Sequence, residues 1–342
     1  MIFDALTIQG KLELKNRIVL APLYLAWDGR SAEFKAFYVR RAQGGVGLVI
    51  APQSTPGGLD DWADPSLAFG AAFRPLVDGC HRAGAKIALQ VYPGGGDVDA
   101  QSAEELASLP GRYARAAEGI RAAGFDAIDI HGAHHSPFMG LLSPFQNHRT
   151  NRYGGVAENR WRVQVETVRA VRAAAGEDFP ILYRFCATDF VPGGVDLDLT
   201  APFAQALEEA GVDCMDVSAG TPDSPEGSSH PGGKMPYGCF ADLAAGIRAV
   251  VGTRVIAVGK IGTRDVAESI LEQGQADLVA LGRPLIADPD WPLKLYKGRD
   301  EEIVPCLWEN AGCLRDSIGQ GKPIRCIQND RVGFEHQAAG QA

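Results

Sequence analysis

Eight strand-length apolar runs recur along the chain, and longer segments with apolar residues three and four apart lie between them. The runs occupy residues 17–23 (RIVLAPL), 46–52 (VGLVIAP), 86–92 (KIALQVY), 127–131 (AIDIH), 181–186 (ILYRFC), 214–220 (CMDVSAG), 255–261 (VIAVGKI) and 278–284 (LVALGRP). Their apolar character is nearly continuous rather than alternating, which marks strands covered on both faces of a parallel sheet. Helical spacing fills 113–123, 160–175, 201–210, 241–250 and 263–273, and Gly124, Gly211 and Gly274 follow three of these, where a left-handed cap is wanted. Eight strands alternating with helices predict an α/β chain closed into a (β/α)8 TIM barrel, and 342 residues suit one such barrel. The rival is an open doubly wound sheet, which would carry a glycine fingerprint after its first strand. The first run leads into Ala21-Pro22-Leu23 instead, and the glycines at 44, 45 and 47 precede a strand. The barrel is expected over 1–300, a cysteine-containing C-terminal extension over 301–335, and a frayed tail over 336–342.

Composition narrows the function. Hydrophobic residues make up 46% of the chain, enough for a large core, and the formal net charge is -9. Binding nucleic-acid phosphates requires a basic surface, so a nucleic-acid partner is not expected. No run is long enough to span a bilayer, and the N-terminus lacks the basic and apolar regions of a secretory signal. Seven cysteines, an odd number without an export signal, predict a reducing, cytoplasmic setting rather than a disulfide framework.

Barrels of this kind place their chemistry at the C-terminal ends of the strands, so polar residues there are the functional candidates. The fourth run ends in Asp129-Ile130-His131-Gly132-Ala133-His134-His135. Two imidazoles three residues apart at a barrel mouth can converge on one oxygen and polarise a carbonyl. A cap or backbone contact for one of them is the structural alternative. Metal binding is another, but no carboxylate or third His stands at a telling spacing.

The stretch IHGAHH (130–135), LLSPFQNHRTNRYGG (141–155) and ENRWR (158–162), with LELKNRIVLAPL at 12–23, resembles the signature of the Old Yellow Enzyme family of NADH:flavin oxidoreductases. The resemblance runs in order along nearly the whole chain. It implies FMN at the barrel mouth and NAD(P)H as a reductant. On the matching positions, Pro22 and Leu23 would pass along the flavin ring and Ala51 would pack beside it. Gln90 would bond the pyrimidine part of the ring, and Arg184 would stabilise the reduced, anionic flavin. Gly259, Lys260, Gly282 and Arg283 would cradle the phosphate. His131 and His134 match the pair that binds a substrate carbonyl oxygen. The chain also departs from the pattern. Ser136 stands where the family has a proton-donating tyrosine, and serine is the weaker acid. Tyr24 stands where Cys or Thr often lies beside the flavin and joins the catalytic candidates.

Cys306, Cys313 and Cys326 resemble three ligands of the [4Fe–4S] cluster found in the 2,4-dienoyl-CoA reductase subgroup. Glu309 occupies the place of the remaining ligand, and the last gap is one residue longer. The metal candidates are therefore Cys306, Glu309, Cys313 and Cys326. A decayed site, with the thiols retained as small buried hydrophobes, is the alternative. Cluster-bearing relatives continue into further domains, so electrons are expected from free NAD(P)H, a substrate or a separate donor protein. The expected reaction is hydride transfer between flavin N5 and a small carbonyl substrate. An oxidative enzyme (desaturase or amine dehydrogenase) and a non-catalytic flavin-binding electron-transfer partner are the alternatives, and homo-oligomerisation stays open.

Overall fold

The computed structural model of the chain describes residues 1–63, 68–225 and 229–338. An antiparallel hairpin comes first, β1 (Leu6–Ile8) and β2 (Leu12–Leu14). Eight strands follow: β3 (Ile18–Leu20), β4 (Leu48–Pro52), β5 (Lys86–Val91), β6 (Ala127–Gly132), β7 (Ile181–Cys186), β8 (Cys214–Ser218), β9 (Arg254–Ala257) and β10 (Leu278–Leu281). These eight pair in parallel in sequence order, and β10 returns to β3 to close the barrel. Every expected strand is present. Residues 339–342 of the expected tail lie outside the described residues.

The helices differ at their ends. The one expected at 113–123 is the second half of Ala103–Ala122. Ser102 and Glu105 form a reciprocal capping box at its start, so Pro110 interrupts one donor of a long ladder rather than opening the helix. Gly211 ends helix Leu197–Ala210 with φ 115°, the left-handed cap the sequence predicts.

Side chains alternate across each strand, and here alternation sorts the barrel into levels. Leu48, Ile50, Ala88, Ala127, Leu182, Cys214 and Ile256 point inward and pack on Leu6, Ile8, Leu12 and Leu14. The hairpin thus plugs the N-terminal end with apolar side chains, a role not foreseen from the sequence. Two residues further along each strand the inward positions are Gln90, Asp129, Arg184 and Asp216. Two further still come Tyr92, His131, Ser218 and Lys260. The interior runs from apolar floor to polar mouth.

Beyond β10 the chain crosses the mouth, with the Ile324 N–H bonded to the Leu25 carbonyl at 3.1 Å. Val332 is buried, and helix Glu335–Ala338 docks through Glu335 onto Arg41 (3.0 Å). Glu335, at the end of the extension, gives the buried cation on helix Ala32–Gln43 its carboxylate. Burial pushes the Arg41 guanidinium down to about 10, and Glu335 opposes that shift. Glu335→Gln should destabilise the chain by about 2–3 kcal/mol in urea unfolding. That lies below the full cost of an unpaired buried ion, because the short helix can lift away and let water reach Arg41.

Candidate active site

The polar level of the barrel is built from cross-strand partners. Gln90 and Asp129 are register partners, and the Gln90 amide donates to Asp129 at 2.7 Å. Arg184 and Asp216 are partners on β7 and β8, bonded at 2.6 Å, and Arg184 also donates to the Ser218 hydroxyl at 3.3 Å. Burial and the Asp216 charge hold the Asp129 carboxyl well above its usual range. Burial likewise raises Asp216, and the Arg184 charge pulls it back. Arg184 keeps N–H groups beyond these bonds, facing the mouth beside its register partner His131.

Four histidines surround the mouth. His131 lies 6.1 Å from His134 and 6.0 Å from His135 between ring centroids, and His134 stacks on His230 at 6.2 Å. Burial pushes His134 down to about 3, with the Arg184 charge adding to it. Burial takes His230 to about 4, helped by Arg283 and Arg184, and holds His131 well below the usual range. All three rings are therefore neutral near pH 7. His134 Nδ1 donates to the Gly220 carbonyl at 2.7 Å, so its Nε2 accepts, from the Ser218 hydroxyl at 3.2 Å. His131 Nδ1 is buried without a partner. The structure brings the pair together, but in this arrangement the free ring N–H belongs to His131. Cys186 lies beneath His134, its thiol raised to about 12 by burial and so inert.

Three of the sequence candidates are placed as follows. Ser136 is 2% exposed; it donates to the His131 carbonyl at 2.7 Å and caps helix Pro137–Leu142. Its hydroxyl is committed to the backbone and does not replace a proton-donating phenol. Ala51 belongs to the outer core between strands and helices, because alternation points Leu48 and Ile50 inward and Ala51 outward. Gln53, just past β4, reaches the mouth instead and bonds the Tyr92 carbonyl at 2.8 Å. The third group is the metal candidates. Burial raises the Cys306 thiol, and the charges of Cys313 and Cys326 add to that, so the three sulfurs lie within electrostatic reach. Glu309, however, is exposed, and among the described residues no three Cys, His, Asp or Glu side chains are grouped to hold a metal ion. The residues present do not fit a four-ligand cluster.

Pro22 and Leu23 follow β3 at the rim, and a Cβ on Gly282 would come within 3.2 Å of Leu23 Cδ2. Tyr24 is 54% exposed. Tyr92 sets its ring edge-on to His131 at 5.9 Å, and the strand period that places Gln90 inward also reaches it. A cavity of about 370 Å³ opens beside these rings, lined by His134, His135, Phe145 and Asp97 among others. A larger one, about 440 Å³, lies at the opposite end around Lys11, Arg172 and Asp213, whose ion pairs are structural.

At the other side of the mouth, Lys260 donates to the Gly233 carbonyl at 2.9 Å and to the Met235 carbonyl. Its ammonium sits 5.0 Å from the Tyr237 ring and 5.8 Å from Trp308. Arg283 donates to Asn310 at 2.6 Å and lies 4.7 Å over Trp308. Among the described residues neither cation has a carboxylate partner. Gly259 has φ 113°, and a Cβ there would meet Phe240 at 2.7 Å. His230, Tyr237, Trp308 and Asn310 come from loops and from the extension, where no periodicity announces them.

The fold is a (β/α)8 barrel whose C-terminal face carries a neutral histidine cluster and two cations that, among the described residues, have no carboxylate partner. The model of the NADH:flavin oxidoreductase / NADH oxidase family matches residues 100–302, and the chain belongs to that family. It is 33% identical to a metal reductase of Desulforamulus reducens, over 95% of this chain and 53% of that protein. It is 32% identical to an NADPH dehydrogenase of Bacillus subtilis, over 90% of this chain and 98% of that protein. The chain thus spans little more than half of some relatives and nearly all of others. The structure of a 2-naphthoyl-CoA reductase shares the fold with TM-score 0.89 at 22% identity, covering 99% of this chain and 58% of that one. No helix among the described residues is long and apolar enough to cross a membrane.

Proposed function

We propose that the chain is an FMN-dependent oxidoreductase that exchanges a hydride with a small carbonyl-bearing substrate, using NAD(P)H as reductant. The observation that carries this reading is the pair of cations, Lys260 and Arg283, held at strand ends without an anionic partner. Largely buried cations are kept when an anion completes them, and a phosphate monoester suits both. The rest of the mouth fits the same cofactor: Gln90 and Arg184 offer spare donors, His131 Nδ1 is an orphaned buried group, and Gly282 keeps the wall beside Leu23 thin.

When bound, FMN supplies the two-electron chemistry. Arg184, its guanidinium fixed by Asp216, would offer positive charge to a reduced, anionic ring, and Gln90, held by Asp129, would offer its remaining donor to the ring. His131 offers a neutral N–H to the substrate oxygen, where charge develops. His134 locks Ser218 and the Gly220 turn around it. A second, oxidative direction gains support from Ser136, whose commitment to the backbone leaves the tyrosine's acid role unfilled at that position.

The purified protein should be yellow and release FMN on denaturation. Anaerobic mixing with NADH or NADPH should bleach the flavin, and cyclohexenone should restore its colour. A colourless protein that FMN cannot reconstitute would overturn the proposal. Reduction without reoxidation by an enone, but with bleaching by amines, would select the oxidative direction.

A further inference from the structure

The extension contributes two residues to the cation site that the resemblance to the family does not assign. Trp308 is 7% exposed, and its indole N–H donates to the Tyr237 hydroxyl at 3.2 Å. Its ring covers Arg283 and flanks Lys260. Asn310 accepts from Arg283 at 2.6 Å and reaches back to the His230 carbonyl at 3.5 Å. Both residues sit in left-handed backbone, Trp308 at φ 61° and Asn310 at φ 59°. Asn tolerates that region, but a bulky tryptophan rarely adopts it. Such conformations persist where surrounding contacts over-determine them, and they cluster at ligand clamps. Gly262 is small where it must be, since a Cβ there would come within 2.7 Å of the indole. The indole thus stands in the stretch between Cys306 and Cys313 where cluster-bearing relatives keep a ligand loop, and Glu309 beside it faces solvent.

We propose that Trp308 and Asn310 form a latch that closes the phosphate end of the flavin site, with Trp308 excluding water from the two cations and Asn310 aiming Arg283. This rests on the FMN reading above. A cation stacked on an indole and shielded from water attracts an anion more strongly than a hydrated one. The latch therefore acts on a ligand that carries a phosphate and is indifferent to the ring system at the other end.

FMN and riboflavin share that ring and differ in the phosphate, so they separate the latch from general packing. Both are titrated into the deflavinated full chain by flavin fluorescence, and FMN release is timed from the loaded protein. Trp308→Ala should weaken FMN about tenfold and speed its release, with riboflavin affinity unchanged. Asn310→Ala should act in the same direction by a smaller factor, and Trp308→Phe should fall between Trp308→Ala and the parent. If Trp308→Ala fails to fold, the other two variants carry the test. Equal weakening of FMN and riboflavin, or no change in either, overturns the latch. A parent protein that binds FMN no tighter than riboflavin overturns the phosphate reading itself, whatever the variants do.

Discussion

Acidification from pH 7.5 to 5 should remove roughly 4 kcal/mol of stability through His134 and His230 alone, about 2 kcal/mol from each. Both rings have folded values far below the 6.5 of an unfolded imidazole, about 3 for His134 and about 4 for His230, and burial is the main cause in each. A base with a depressed folded value contributes stability that is fully present above 6.5. That stability is lost as the pH falls toward the folded value, because the unfolded chain takes up a proton the native ring refuses. His131 adds to the loss in the same direction. Asp129 opposes it. Its folded value is raised, so its contribution is full below the usual carboxylate range and shrinks as the pH rises. Urea unfolding at a series of pH values measures the slope. His134→Gln should flatten the slope between pH 6.5 and 4 by nearly one proton, and Asp129→Asn should steepen it. A His134→Gln profile parallel to the parent's would show that the ring is hydrated and not buried as described.

The barrel was legible because its signal is repeated eight times. Near-continuous apolar runs at 17–23 through 278–284 demand a parallel sheet, and their ends name the mouth. Strand period extends that reading to Gln90, Arg184 and Lys260, which the structure places inward on β5, β7 and the continuation of β9. The same period turns the Ala51 side chain to the outer layer and brings Tyr92 to the mouth. The hairpin plug escaped notice because three-residue strands carry too little pattern. What the Ser136 hydroxyl bonds was not legible, because an aligned position says nothing of it, and a buried cap uses it fully. Trp308, Asn310 and His230 reach the site through loop geometry, which follows from packing of distant segments rather than from any local period. Glu309 points to water for the same reason. The spacing of Cys306, Cys313 and Cys326 records proximity along the chain, and only the fold shows that the Trp308 indole lies over Arg283.

Arg184→Met should cost about 3–5 kcal/mol, the range for leaving one partner of a buried ion pair without the other. Asp216 is fully buried, and its Oδ1 already lacks a partner, so no second donor is on hand. The carboxyl would respond by binding a proton, which moves the cost toward the lower end as the pH falls. The double variant Arg184→Met, Asp216→Leu removes both charges and replaces them with apolar groups that pack against the floor formed by Leu182 and Cys214. Such replacements are often neutral or stabilising, so its unfolding free energy should return to within about 1 kcal/mol of the parent's. Flavin chemistry should not return with it. On the proposed reading Arg184 supplies the positive charge at the ring edge that turns anionic on reduction, and removing one preorganised donor at a developing charge typically costs about 100-fold in rate. Anaerobic stopped-flow of flavin reduction by NADPH in the double variant reads that loss separately from folding. Recovery of rate together with stability would assign Arg184 to the core and not to the cofactor. Recovery of stability alone, with a lowered flavin potential, would place its guanidinium at the reacting ring.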